Sequence, residues 1–398
     1  HYPLRRQRQM CIRDSFAAEF IGVNDSWLLW FQLSLIEFVM TARHFLELRR
    51  CEPRPNWQQR VEEQGLLWHT LEGQRYWAEG QYLQLTLKAA EVMEDAANEL
   101  HALCLQACER IIERDWFARM GISAPLASLI VESWRRGDPA LYGRFDLAWN
   151  GQGSPKLLEY NADTPTSLLE TALIQWTWKE DCFPQLDQLN SLHEALVERW
   201  QKCPESCIHF ASDWNHEEDR QTTAYMAETA EQAGKQVVMI DFPDIGLART
   251  GWLCDLDERA IERLFKLYPW EFLVRDEIFS AIPHLLGQLT EPIWKMLLSN
   301  KALLALLWEL FPQHPLLLPA YFESAPLADR EYVVKPWLGR EGANVAIVRD
   351  GRVIAATPGD YADTPCVYQQ RAAMLEGPGT TCVLGLWMVA DRCCALAV

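Results

Sequence analysis

Neither of the two spaced glycine signatures for phosphate, G-x4-G-K-[S/T] and G-x-G-x-x-G, occurs in the sequence. This argues against Walker-type NTPases and dinucleotide oxidoreductases. Basic residues are scarce: 37 Lys and Arg stand against 55 Asp and Glu, a formal charge of -18. That balance disfavours nonspecific attraction to nucleic acid or to an anionic membrane surface, while leaving room for a local basic pocket. The longest apolar stretch, Trp27 to Met40, is flanked or interrupted by Asn24, Asp25 and Glu37. It falls short of the roughly 20 residues a membrane span needs, so it reads as a buried or partner-seeking helix. The 12 cysteines are scattered along the chain. Cys104/Cys108 and Cys203/Cys207 are C-x3-C pairs and Cys393-Cys394 are adjacent, but none has the second ligand pair of a zinc site. Free thiols in a reducing, cytoplasmic compartment are the expectation.

What is present is ample core material. With 398 residues, 49% of them hydrophobic, the chain suffices for two or three domains. Residues 1–56 differ in character from the rest: a basic start at Arg5, Arg6 and Arg8, the apolar run, then Pro53 and Pro55. They read as an extension preceding the main body, which starts at Trp57. The stretch Leu85 to Ile112 predicts a helix, with Leu87, Ala90, Met93, Ala97, Leu100, Cys104, Ala107 and Ile111 forming one apolar face. His101 falls on the less apolar side and is expected at the surface. From Cys207 to Val274, two short apolar runs flank a helical stretch near Gln221 to Gly234, an alternation that predicts parallel strands.

The segment Gly143 to Glu170 concentrates polar groups around one turn. Leu141 to Trp149 and Lys156 to Asn161 read as strands, with Asn-Gly-Gln-Gly-Ser-Pro between them as the turn. Alternation puts Arg144 and Asp146 on one face and Phe145 and Leu147 on the other, while Glu159 and Asn161 share a face on the second strand. Folded about its loop centre, the hairpin pairs Trp149 with Lys156, Asp146 with Glu159 and Arg144 with Asn161. Two carboxylates placed opposite one another repel unless a cation lies between them. Asp146, Glu159 and the Asn161 oxygen suit a hard cation such as magnesium. The alternatives are a solvated face with Arg144 paired to one acid, or a different register. Beyond the hairpin, Asp163-Thr164-Pro165 reads as a helix start with Thr164 as cap, which would leave backbone N–H groups there for phosphate oxygens.

A second concentration runs from Glu331 to Asp360. A strand over Glu331 to Lys335 stops at Pro336, Gly339 and Gly342 make the next loop supple, and Asp350-Gly351 marks a hairpin turn between Val345 to Arg349 and Arg352 to Ala356. A lysine at a strand edge beside such a loop can hold phosphoryl oxygens while backbone N–H groups cover them. Alone, Lys335 reads more readily as a merely exposed side chain.

Taken in order, RFDLAWNGQGSPKLLEYNADTPTSLLE, NKALLALLWELFPQHPLLLPA and KPWLGREGANV closely resemble the synthetase part of the glutathionylspermidine synthase family. The resemblance covers residues 57 to about 390 and points to the stand-alone branch without an amidase domain. It implies an α/β protein of the ATP-grasp fold with an associated pre-ATP-grasp α/β substrate domain. The implied chemistry is ATP-dependent ligation of a small-molecule or short-peptide carboxylic acid to an amine, such as a polyamine, through an acyl phosphate. Residue by residue, it implies that Asp146, Glu159 and Asn161 hold Mg2+ and that Arg144 faces the transferring phosphoryl group. Lys301 and Lys335 would contact ATP phosphates, Arg340, Glu341 and Gly342 would lie in the covering loop, and Gln369 or its neighbour Gln370 would lie near the nucleotide. Family members carry a further arginine in a glycine-rich segment beyond the equivalent of GLWMVADR. Here the sequence runs CCALAV, so the expectation is a ligase that keeps nucleotide binding but is weak in catalysis. A regulatory ATP-binding protein and a metal-dependent phosphatase are the competing readings, and a purely structural protein leaves the clustered Arg144, Asp146, Glu159 and Asn161 unexplained.

Overall fold

The computed structural model describes residues 46–398 apart from 72, 250, 286 and 378. The run Trp27 to Met40 and the basic start lie outside the described residues. Strands β1 (Leu46–Arg50) and β2 (Gln81–Leu85) pair antiparallel, and helix α1 (Leu87–Glu113) follows directly. Thr86 caps α1, its hydroxyl accepting from the Ala89 N–H at 3.2 Å. Seven of the eight predicted stripe residues are buried, but Leu87 at the helix start is 60% exposed. His101 is a correction as well: it is only 5% exposed. The helix packs against two strands near the C-terminus and against the helix that follows Lys301, so its buried arc is wider than a single stripe.

After helix α2 (Ala124–Arg136) comes the hairpin of β3 (Tyr142–Ala148) and β4 (Lys156–Asn161). Arg144 faces Asn161 and Asp146 faces Glu159, the expected register. Between Asp146 and Leu147 the register shifts, so Lys156 pairs with Ala148 rather than with Trp149. A bulge inserts a residue that counting from the loop centre cannot reveal. The helix expected at Thr164 also begins later. Residues 163–167 are irregular, Ser167 has φ 66°, and a π-type turn over Glu170–Ile174 leads into α3 (Gln175–Cys182). Thr164 therefore caps no helix.

Helix α4 (Leu192–Gln201) leads to the α/β region: β5 (Cys207–Ser212), α5 (Glu217–Gln232), β6 (Gln236–Asp241), β7 (Leu264–Leu267), the single turn α6 (Trp270–Leu273) and β8 (Leu289–Thr290). Their sheet is parallel, in the order β8-β7-β5-β6. The order reverses between β5 and β7, which makes the carboxyl ends of those strands the expected crevice for a ligand.

Helix α7 (Ala302–Leu310) precedes an antiparallel sheet of five strands: β9 (Ala320–Tyr321), β10 (Tyr332–Pro336), β11 (Ala346–Arg349), β12 (Arg352–Ala356) and β13 (Cys366–Gln370), ordered β9-β13-β10-β11-β12. Asp350 and Gly351 have φ of 50° and 70°, the doubly positive pair that a two-residue type I′ turn requires. Finally β14 (Leu384–Val389) and β15 (Arg392–Ala397) complete the hairpin's sheet, in the order β15-β14-β3-β4. Cys393 and Cys394 are buried on β15, and the cysteines among the described residues are free. No helix among the described residues is long and apolar enough to cross a membrane.

The boundary expected at residue 56 falls inside this body. Besides the β1–β2 pairing, Arg54 is enclosed, with its side chain 4% exposed, and it forks onto Glu79 at 2.7 Å, whose side chain is 0% exposed. A second bond reaches Asp181 at 2.9 Å. Removing one partner of such a pair strands the other charge away from water. Arg54→Ala is therefore expected to destabilise the protein by about 3–5 kcal/mol, read as a lower urea midpoint. A loss below about 1 kcal/mol would show that Glu79 finds water instead.

Candidate active site

The polar face of the hairpin lies over an aromatic floor. On its apolar side Phe145 stacks on Tyr160 with centroids 3.8 Å apart, and the Tyr160 hydroxyl meets His101 Nδ1 at 3.2 Å. His101 thus supports the hairpin from behind. On the polar side, the stem of Arg144 runs close to Gly385 of β14, the residue paired with Asp146. A Cβ at Gly385 would sit 3.1 Å from Arg144 Cδ, so glycine leaves the stem its room. The guanidinium donates to both Asp146 oxygens at 2.7 and 3.0 Å and to the Thr166 carbonyl at 2.5 Å. Asn161 Nδ2 donates to Asp146 at 3.0 Å and to Glu159 at 3.2 Å. The face is mostly enclosed, not solvated: side chains of Arg144 and Asp146 are 15% and 12% exposed.

Two lysines approach from other elements. Lys301, just before α7, reaches Glu159 at 3.1 Å and the Gly339 carbonyl at 2.7 Å. Lys335, on β10, is buried, correcting the reading of an exposed side chain. Its ammonium donates to the Leu158 carbonyl at 2.9 Å and to Gln369 Oε1 at 2.8 Å, while Gln369 Nε2 donates to the Leu157 carbonyl at 2.9 Å. Since β4 is the outer strand of its sheet, its edge carbonyls need partners, and Lys335 and Gln369 supply them. Gln370 faces elsewhere and accepts from Arg330 at 2.8 Å.

These contacts set the ionisation. Burial pushes Glu159 up, but Lys301 and Lys335 outweigh it and hold the carboxyl at about 2. Burial raises Asp146 above the ordinary carboxylate range despite Arg144, with Glu159 adding to the rise. Burial also lowers Lys335 to about 8, against the pull of Glu159. Two carboxylates facing one another form a hard-oxygen pair, bridged in this structure by the Asn161 amide nitrogen. No group of three or more His, Cys, Asp or Glu side chains placed to hold a metal is found among the described residues. Magnesium is commonly held by one or two carboxylates together with substrate phosphates, so these residues fit it.

A glycine-containing loop follows Lys335. Glu341 and Gly342 have φ of 50° and 70° and are exposed. Arg340 instead reaches inward, donating to Thr164 Oγ1 at 2.7 Å and twice to Glu271 Oε1 at 2.8 and 3.0 Å.

Sequence reasoning missed an acidic wall beside Arg144. Glu170 is buried, its Oε1 accepting from Trp68 Nε1 at 3.1 Å and the Tyr76 hydroxyl at 2.8 Å, while its Oε2 is buried with no hydrogen-bond partner. At the start of α5 stand Glu218 and Asp219, both half-buried. Burial, then the charges of Glu170, Asp219 and Glu341, push Glu218 up to about 7. Burial likewise raises Asp219 to about 6, partly offset by His216 and Arg340. The only sequence signal was Glu217-Glu218-Asp219 opening a helix, which is ordinary for stability alone.

The family model described as the glutathionylspermidine synthase pre-ATP-grasp region matches residues 49–398. The chain belongs to this family. A protein of Haemophilus influenzae, provisionally named an acid–amine ligase, is 37% identical over 364 residues, covering 87% of this chain and 92% of its own length. The trypanothione synthetase of Crithidia fasciculata is 29% identical, covering 74% of this chain and 50% of its own length. The bifunctional glutathionylspermidine synthetase/amidase of Escherichia coli K12 is 28% identical, at 73% and 51%. The chain spans about half the length of these last two relatives. Among solved structures, a glutathione synthetase-like effector from Globodera pallida superposes with a TM-score of 0.51 at 12% identity, covering 85% of this chain and 91% of its own. That likeness supports the ATP-grasp fold, and family membership makes the chain an ATP-dependent carbon–nitrogen ligase.

The acidic wall gives a direct spectroscopic expectation. With Glu218 raised to about 7, it is protonated below that pH and charged above it. In 13C NMR of glutamate-labelled protein, one side-chain carboxyl should titrate near pH 7 and vanish from the spectrum of Glu218→Gln. A titration of every glutamate complete by pH 5.5 would contradict the enclosure of this wall.

Proposed function

We propose that the protein joins a carboxylic acid to an amine by way of an acyl phosphate, with Mg2+ and ATP at the hairpin face. The observation that carries this reading is the meeting of Arg144, Lys301 and Lys335 with Asp146, Glu159 and Asn161 at one enclosed face, under a glycine-containing loop. A carboxylate cannot expel oxide toward an amine. Its oxygen first forms a bond to the γ-phosphorus as the bond to the ADP oxygen breaks. The amine nitrogen then attacks the acyl carbon, phosphate leaves with the carboxylate's original oxygen, and the nitrogen loses a proton.

In this assignment Arg144 faces the transferring group, Lys301 and Lys335 hold ATP phosphates, and Arg340, Glu341 and Gly342 belong to the cover. Gln369 acts by orienting Lys335. Asp146, Glu159 and Asn161 would hold magnesium, which when bound neutralises charge on the phosphate oxygens. The amine must reach the acyl carbon uncharged. Glu218, with its carboxyl near 7, is matched to accept that proton at neutral pH. The acidic wall of Glu170, Glu218 and Asp219 favours a cationic substrate, and a polyamine has that charge.

The test is product analysis. The protein with magnesium, ATP, glutathione and a panel of short peptides and polyamines is examined by mass spectrometry, with ADP measured in parallel. An amide product formed in step with ADP is expected, and ADP release indifferent to every acid and amine would overturn the ligase reading. Asp146→Asn and Glu159→Gln, which keep shape but remove charge, should each lower magnesium-dependent turnover by about 10²- to 10³-fold. Unchanged magnesium dependence in both variants would remove the hairpin from the metal site.

A further inference from the structure

We propose that Glu271 is a positioning residue for Arg340, and that through this pair closure of the glycine loop is tied to the parallel α/β sheet. The proposal rests on the ligase reading above for its functional meaning and on geometry alone for its structural claim. Three separate parts of the chain meet at one guanidinium. Arg340 comes from the loop between β10 and β11, Glu271 from α6 at the carboxyl end of β7, and Thr164 from the loop after β4. The ring of Phe272 lies 5.9 Å from the same guanidinium.

The two partners differ in firmness. Glu271 is buried, on a turn fixed from two sides: Asp163 Oδ2 accepts from the Trp270 N–H at 2.8 Å, and Trp270 Nε1 donates to the Glu291 carbonyl at 3.1 Å. Asp163 is itself held by Lys266 at 2.7 Å, with both side chains at most 1% exposed. The loop bearing Arg340 is tied chiefly to its own hairpin and to Lys301: Lys301 donates to the Gly339 carbonyl at 2.7 Å, the Thr357 hydroxyl to the Gly342 carbonyl at 2.5 Å, and Asn344 Oδ1 accepts from the Tyr361 N–H at 2.7 Å. It turns through Glu341, Gly342 and Asn344 at φ of 50°, 70° and 54°, held by backbone bonds such as Ala343 N–H to the Arg340 carbonyl at 2.8 Å and Asn344 N–H to the Pro358 carbonyl at 3.2 Å. None of those ties reaches the parallel sheet, so the Arg340 fork onto the fixed, buried Glu271 is what sets this loop against α6.

The position matters because Arg144 binds the same five-residue segment. Arg340 bonds the Thr164 hydroxyl and Arg144 bonds the Thr166 carbonyl, two residues along. Glu271 thereby holds the second guanidinium against the same segment as the first, before any ligand arrives. Preorganised donors are the ones that count when charge shifts in a transition state. Asp219 also lies near enough to Arg340 to influence it, so it is the natural competitor if Glu271 is lost.

The experiment is a double-mutant cycle on the full chain: wild type, Glu271→Gln, Arg340→Gln and both together. Hydrogen exchange of the Ala343 and Asn344 amides is followed in the free protein. The dissociation constant of a non-hydrolysable ATP analogue with magnesium is measured alongside. Glu271→Gln should speed exchange and weaken the analogue by about tenfold each, and should add less than twofold once Arg340 is gone. Equal effects of Glu271→Gln in both backgrounds, or wild-type exchange in the single variant, would overturn the proposal. Should Glu271→Gln fail to fold, Arg340→Lys serves in its place: it keeps the charge, loses the fork, and is expected to exchange as fast as Arg340→Gln. Wild-type exchange in Arg340→Lys would likewise count against the clasp. If the wild type binds no nucleotide, the ligase reading fails while the exchange arm still judges the clasp.

Discussion

The outer edge of β4 is the constraint on which the site depends. An edge strand in an enclosed position leaves carbonyl groups that must be satisfied, and here Leu157 and Leu158 are satisfied by Gln369 and Lys335 from another sheet. One cation therefore serves two purposes. It joins the hairpin's sheet to the five-stranded sheet, and it places an ammonium close enough to Glu159 to depress that carboxyl. A hydrophobic contact could have joined the sheets as well, but it would have left the carbonyls unpaired and Glu159 without its second cation.

Charge on that face is unbalanced in a useful direction. Arg144, Lys301 and Lys335 outnumber Asp146 and Glu159 by one, so the enclosed face carries net positive charge within a protein of formal charge -18. The neighbouring wall of Glu170, Glu218 and Asp219 has the opposite sign. Burial makes this contrast stronger than it would be in water. A face and a wall of opposite sign, set side by side, favour ligands of opposite charge. The raised carboxyl of Glu218 measures the same effect from the other side, because neighbouring acids in a half-buried wall cannot all ionise cheaply.

The hairpin was legible because its information is local. Alternation, a turn of Asn, Gly and Pro, and a short loop sufficed to oppose Asp146 to Glu159 and Arg144 to Asn161. Beyond the bulge the count was off by one, since a bulge depends on what the strand packs against. His101 was misjudged for a related reason: a helix that packs against two strands and another helix buries more than the stripe its periodicity shows. The Thr164-Pro165 signal was real turn chemistry, but the loop is held by tertiary bonds, Asp163 to Lys266 and Thr164 to Arg340, which no window of neighbouring residues contains. Glu170, Glu218 and Glu271 escaped notice because each gains meaning only from partners distant in sequence.

Lys335 shows how the two kinds of information combine. As a residue on a strand it reads more readily as a surface lysine, and resemblance assigned it to phosphate without saying what keeps it in place. The structure supplies the reason it can wait there buried. An ammonium away from water is costly unless its donors are used, and the Leu158 carbonyl and Gln369 use two of its three. The fall of Lys335 to about 8 shows that burial still costs it more than Glu159 returns. A bound phosphate would reverse that sign, favouring the charged form. In the proposed phosphate-binding role, burial that is unfavourable in the free protein would become a source of selectivity for an anionic ligand, and the edge of β4 is what makes the free state tolerable.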